Sequence, residues 1–101
     1  MNIDDIINKH AIVIFIKGDA NSPKCAFSIK VIKIFNKLQV PYKAINILHN
    51  SDMKEELKTY SNWPTIPQVY INRKFIGGAD IINDMYYKQE LQEMLEVLLN
   101  S

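Results

Sequence analysis

The stretch Lys24-Cys25-Ala26-Phe27-Ser28 carries the only thiol among the 101 residues. A cysteine at a helix start feels unpaired N–H groups and the positive end of the helix dipole, and both favour thiolate over thiol. Lys24 is adjacent and Lys17 lies at the end of the strand leading in, so two cations are expected to push the same way. Most lone cysteines are small buried hydrophobes. A polar, Pro-containing loop before this one and a helix after it place it at the surface instead. Thiolate is the nucleophilic and metal-binding form.

The spacing Cys25-x-x-Ser28 limits that chemistry. A serine cannot resolve a mixed disulfide, so exchange at Cys25 must end with an outside thiol. Structural zinc takes four protein ligands, which Cys25 and the scattered His10 and His49 do not supply. A [2Fe–2S] cluster takes four thiolates. Two chains give two of them, and small thiols, of which glutathione is the abundant one, would give the others.

The elements around the thiol follow from periodicity. Asp4 to Lys9 reads as a short helix. Ala11 to Ile16 is an unbroken apolar run, a strand buried on both faces. Gly18 to Pro23 is a loop by composition, with Pro23 suited to a helix first turn. From Lys24 to Leu38 the period is helical, with Val31, Ile34, Phe35 and Leu38 in one stripe and Lys30, Lys33 and Lys37 on a solvated face. Pro41 stops that helix, and Tyr42 to Ile47 is a second strand. A helix of about ten residues begins at Ser51 or Asp52, where Asp52 and Glu55 resemble a capping box. Gln68 to Ile71 and Lys74 to Ile76 form a hairpin about Asn72-Arg73. Arg73 is a weak residue for such a turn. Gly77-Gly78 ends the hairpin and Asp80 suits the N-cap of the next helix. Leu91, Met94, Leu95 and Leu98 form the stripe of the last helix. The order α-β-α-β-α-β-β-α-α predicts an α/β fold, a four-stranded mixed sheet with helices on both faces.

Composition sets the bounds. The length fits one domain, 1–101. A hydrophobic share of 48% and a charged share of 23% are ordinary for a globular protein. The net charge of +1 gives no bias toward nucleic acid. No apolar run approaches the ~20 residues of a membrane span. One cysteine fits a reducing intracellular compartment. The N-terminus lacks signal- and transit-peptide patterns, so the expectation is cytoplasmic, or mitochondrial if a leader was trimmed.

Lys17-Gly18, a five-residue loop ending in Pro23, Lys24-Cys25-x-Phe27-Ser28, Trp63-Pro64-Thr65-Ile66-Pro67-Gln68 and Gly77-Gly78-x-Asp80 together resemble the monothiol glutaredoxins of the Cys-Gly-Phe-Ser class. The resemblance covers essentially the whole chain. It implies a thioredoxin-like fold, glutathione binding, and a homodimer bridged by a glutathione-ligated [2Fe–2S] cluster with Cys25 as the chain's metal ligand. BolA-type partners and iron–sulfur acceptor proteins are implied with it. The implied glutathione site comprises Lys17, Cys25, Phe27, Lys54, Thr65, Ile66, Pro67, Gly78, Ala79 and Asp80. Pro67 resembles the family's cis-proline, beside which the backbone of Ile66 would pair with an extended peptide. Lys17 would neutralise one carboxylate. Lys54 stands where the family usually has Arg and would meet the glycyl carboxylate as a point charge. The N–H groups of Ala79 and Asp80 would take the γ-glutamyl carboxylate, and the Asp80 side chain its ammonium. Trp63 is expected to pack beside the site.

Two positions depart from the pattern. Ala26 replaces the glycine of Cys-Gly-Phe-Ser, and Ala79 replaces the cysteine often found in Gly-Gly-Cys-Asp. On the resemblance and the four-thiolate requirement, a cluster carrier is the first reading. A glutathione-dependent oxidoreductase with Cys25 as nucleophile comes second, and a non-catalytic interaction module third.

Overall fold

The computed structural model describes residues 2–100. Its elements are α1 (Ile3–Lys9), β1 (Ile12–Ile16), β2 (Gly18–Asp19), β3 (Ser22–Pro23), α2 (Ala26–Leu38), β4 (Lys43–Asn46), α3 (Ser51–Ser61), β5 (Gln68–Ile71), β6 (Lys74–Gly77), α4 (Ala79–Tyr87) and α5 (Glu90–Leu99).

The main sheet runs β4-β1-β5-β6. β1 pairs parallel with β4 and antiparallel with β5, and β5 pairs antiparallel with β6. The unbroken apolar run of β1 is explained by this central place, since every one of its residues is buried. Ile12, Ile14 and Ile16 meet Val31 and Phe35 of α2, Ile82 of α4 and Leu91 and Leu95 of α5. Val13 and Phe15 point the other way, to Ile6 and Ile7 of α1, Leu57 of α3 and Tyr70 of β5. The mixed sheet with helices on both faces is the arrangement expected from the element order, and it matches the thioredoxin-like fold that the resemblance implied.

Several local expectations need correction. Gly18 to Pro23 is a small antiparallel ribbon, with Gly18 opposite Pro23 and Asp19 opposite Ser22. Pro23 is therefore a strand residue outside the helix, and α2 starts at Ala26 with Cys25 as its N-cap. The ribbon requires a glycine. Gly18 has φ +95, and a Cβ there would lie 2.6 Å from the backbone nitrogen of Lys24. α3 is capped by Asn50, whose side chain accepts from the N–H of Met53, in place of the Asp52–Glu55 box. Gly78, not Asp80, is the N-cap of α4, and β6 runs through Gly77. Asn72 and Arg73 both have positive φ, the geometry of a tight hairpin turn. Arg73 adopts it despite its side chain.

Candidate functional site

Cys25 stands where the ribbon hands the chain to α2. The N–H of Lys24 donates to the carbonyl of Lys17 at 2.8 Å, which closes the ribbon just before the thiol. The N–H of Ile29 donates to the Cys25 carbonyl at 2.9 Å and opens the helical ladder. As a thiol, the Cys25 side chain makes no capping hydrogen bond. Burial pushes its pKa up, but other groups more than offset that and hold it below the ordinary value. These are the N–H groups of Ser28 and Phe27, the Lys17 ammonium and the Ser28 hydroxyl, all favouring the anion. Lys24 has no part in this. Its ammonium donates to the Ser22 hydroxyl at 3.2 Å.

Ser28 is fully buried. Its Oγ accepts from the backbone N–H of Lys17 at 3.1 Å, which ties α2 to the end of β1. The residue that cannot resolve a disulfide thus has a positive role as acceptor for one neighbour and donor toward another.

Opposite the thiol lies the 63–67 loop. The Ile66–Pro67 peptide bond is cis, as expected for Pro67. The loop is held from beneath by Gln68, whose side chain is buried at the start of β5. Its Nε2 donates to the carbonyls of Trp63 and Thr65, both at 3.3 Å, and its Oε1 accepts from the Tyr70 hydroxyl at 2.9 Å. Trp63 stacks obliquely on Phe75, with ring centroids 5.6 Å apart. A Cβ at Gly78 would lie 3.1 Å from Trp63 Nε1 and 3.4 Å from the Pro67 carbonyl oxygen, so glycine lets the start of α4 close against the loop.

These pieces enclose a cleft of about 490 Å³. It is lined by all ten expected residues: Lys17, Cys25, Phe27, Lys54, Thr65, Ile66, Pro67, Gly78, Ala79 and Asp80. Four further residues line it: Lys58, Trp63, Pro64 and Ile81. Trp63 was expected to pack beside the site and does both. Lys58 had a signal in the sequence, since it stands one helical turn after Lys54 and shares its face. Ile81 had none.

The cleft sets three ammonium groups, of which that of Lys58 pairs with Glu55 at 3.4 Å, and one carboxylate around a thiol that favours its anion. The N-terminus of α4 opens on the same wall. The arrangement suits a ligand that carries both carboxylate and ammonium groups. For a metal, the donor set of one chain is a single thiolate. Among the described residues no three His, Cys, Asp or Glu side chains come together. Likewise, no helix among them is long and apolar enough to cross a membrane.

A family model described as glutaredoxin matches residues 12–76. An uncharacterised monothiol glutaredoxin of Synechocystis is 44% identical over 99 residues, covering 98% of this chain and 92% of that protein. The solution structure of reduced poplar apo GrxS14 superposes with a TM-score of 0.84 at 41% identity, covering 98% of this chain and 91% of that one. A crystal structure of a buckwheat glutaredoxin–glutathione complex superposes with a TM-score of 0.80 at 27% identity, covering 92% and 83%.

Proposed function

The chain belongs to the glutaredoxin family, among its monothiol members, and from that premise we propose that it binds glutathione beside Cys25 and, as a pair of copies, carries a [2Fe–2S] cluster to other proteins. The supporting observation is the charge pattern of the cleft. Glutathione brings two carboxylates, one ammonium and a thiol. Lys54 takes the glycyl carboxylate and Lys17 adds neutralising charge. The N–H groups of Ala79 and Asp80 take the γ-glutamyl carboxylate, and the Asp80 side chain takes the ammonium. Thr65, Ile66 and Pro67 hold the cysteinyl unit in extended register, Gly78 admits it closely, and Phe27 flanks it. Lys58 lines the cleft one turn after Lys54, its ammonium paired with Glu55 at 3.4 Å.

The cluster is cargo. Cys25 thiolates from two copies and thiolates from two glutathiones complete the four ligands it takes. BolA-type partners and iron–sulfur acceptor proteins belong to the same reading, and so does a compartment reducing enough to keep Cys25 as a thiol.

The lowered pKa of Cys25 favours a second reading, removal of glutathione from protein mixed disulfides. The Cys25 thiolate attacks the glutathione sulfur, the protein leaves as thiolate, and Cys25 keeps the glutathionyl group. A second glutathione thiolate then attacks that group, giving oxidised glutathione and restoring the Cys25 thiolate.

Anaerobic reconstitution with iron, sulfide and glutathione separates the two. The carrier reading expects visible absorption and a dimer by size, both lost without glutathione and in Cys25→Ser. A colourless monomer with glutathione present, together with brisk disulfide turnover, would put the second reading first.

A further inference from the structure

We propose that the groove between α2 and α4 docks an acidic, amphipathic segment of the protein that Cys25 serves. The proposal rests on the reading that this thiol acts on protein partners, and it adds which partners fit.

The groove measures about 260 Å³ and begins at Ala26, next to the thiol. Lys30, Lys33 and Lys37 form one wall at helical spacing. No acidic residue occurs anywhere in α2. Among the described residues none of these three lysines is in an ion pair. α4 forms the other wall and carries two carboxylates. Asp80 faces the Cys25 cleft, and Asp84 is paired with Lys88 at 3.1 Å. The positive charge of the groove is therefore uncompensated.

The rest of the groove is apolar. Ile29 and Ile34 line it from α2, and Tyr86 and Tyr87 bring two rings from α4. Tyr87 is 74% exposed, and Phe27, beside the thiol, is 56% exposed. Such aromatic surface next to unpaired cations is the composition of a protein-binding patch.

The lysine stripe runs from Lys30 to Lys37, eight residues of helix and about 10 Å from first to last. That length matches two turns of a partner helix or a short extended segment. A lipid surface or a nucleic acid is usually met by a larger basic cluster, and the chain's net charge is only +1. Acidic side chains alternating with apolar ones fit both walls at once. Charge complementarity here acts on encounter rate and partner choice.

The test uses two peptides of equal length and identical apolar residues, one with Glu and one with Lys at its charged positions. Each carries a terminal cysteine activated as a mixed disulfide with thionitrobenzoate. The Cys25 thiolate attacks the peptide sulfur, forms the protein–peptide disulfide and expels coloured thionitrobenzoate. With one cysteine in the chain, the capture site is unambiguous. At low salt the acidic peptide should react on the order of tenfold faster than its Lys counterpart, and the ratio should collapse in molar salt. Lys30→Glu/Lys33→Glu/Lys37→Glu should abolish or invert the preference. Alkylation of Cys25 by neutral iodoacetamide should be unchanged, which controls for folding and thiol reactivity. Equal capture rates, or a preference that survives the triple variant, would overturn the proposal. So would tighter binding of anionic vesicles or a single-stranded RNA to the same lysines. Glutathione titration of the triple variant separates the two ideas. A normal response with lost peptide preference supports the groove. No response in either protein would sink the glutathione cleft while the peptide preference still reads the groove.

Discussion

The backbone N–H of Lys17 donates to Oγ of Ser28 at 3.1 Å, across eleven positions of sequence. This bond fixes the end of β1 against the first turn of α2. The same hydroxyl and the Ser28 N–H both favour the thiolate of Cys25. Ser28→Ala should therefore act twice. It leaves a part-buried N–H without its acceptor, at a cost of about 1–3 kcal/mol. It should also raise the pKa of Cys25. Urea unfolding checks the first, and the pH profile of iodoacetamide alkylation checks the second. A variant with unchanged stability and profile would show that the bond contributes nothing.

The thiol itself couples stability to pH. The pKa of Cys25 is lowered from 9.0 in the folded chain, so the unfolded chain holds the proton more tightly. The stabilisation is complete above 9.0 and is lost as pH falls through the folded-state value. The urea midpoint of the wild type relative to Cys25→Ala should therefore rise with pH across that window. Lys17→Met should shift the alkylation profile toward higher pH. A difference between wild type and Cys25→Ala that stays flat with pH would contradict the lowered pKa.

Gln68 holds the cis-proline loop in place by two bonds to backbone carbonyls and one from Tyr70. Gln68→Leu keeps the volume and removes all three. We expect a loss of about 1–3 kcal/mol together with weaker glutathione binding, read by urea unfolding and by fluorescence of Trp63, the only tryptophan. A loss of stability with glutathione affinity intact would restrict Gln68 to a role in the fold.

Gly18→Ala places a Cβ 2.6 Å from a backbone nitrogen at φ +95. Neither strain can be relieved by a side-chain rotation, so the cost should be at least about 1–3 kcal/mol. Equal midpoints in urea for variant and wild type would mean that the ribbon adapts freely.

What could be read from the sequence followed its periodicities. β1 was legible because a strand covered on both faces is apolar throughout, and α2 and α5 because each shows a 3.6-residue stripe. The ribbon was not, because strands of two residues, Gly18–Asp19 and Ser22–Pro23, have no period. Helix starts drifted where two capping residues stood close together. Asn50 took the place read for Asp52, and Gly78 that read for Asp80, because backbone geometry chose between them. All ten site positions were marked by the motif resemblance, and the structure brings them to one cleft. The roles of Ser28 and Gln68 were invisible, since each depends on partners that only the folded chain brings near.

The central claim is that the cleft around Cys25 takes glutathione, and a titration of amide NMR shifts with reduced glutathione tests it most directly. We expect saturable shifts at Ile66, Gly78, Ala79 and Asp80 and near Cys25, with affinity on the order of tenfold weaker in Lys54→Met, the loss of one charge-assisted contact. Shifts that fail to saturate, that gather on α5, or that are untouched by Lys54→Met would contradict it.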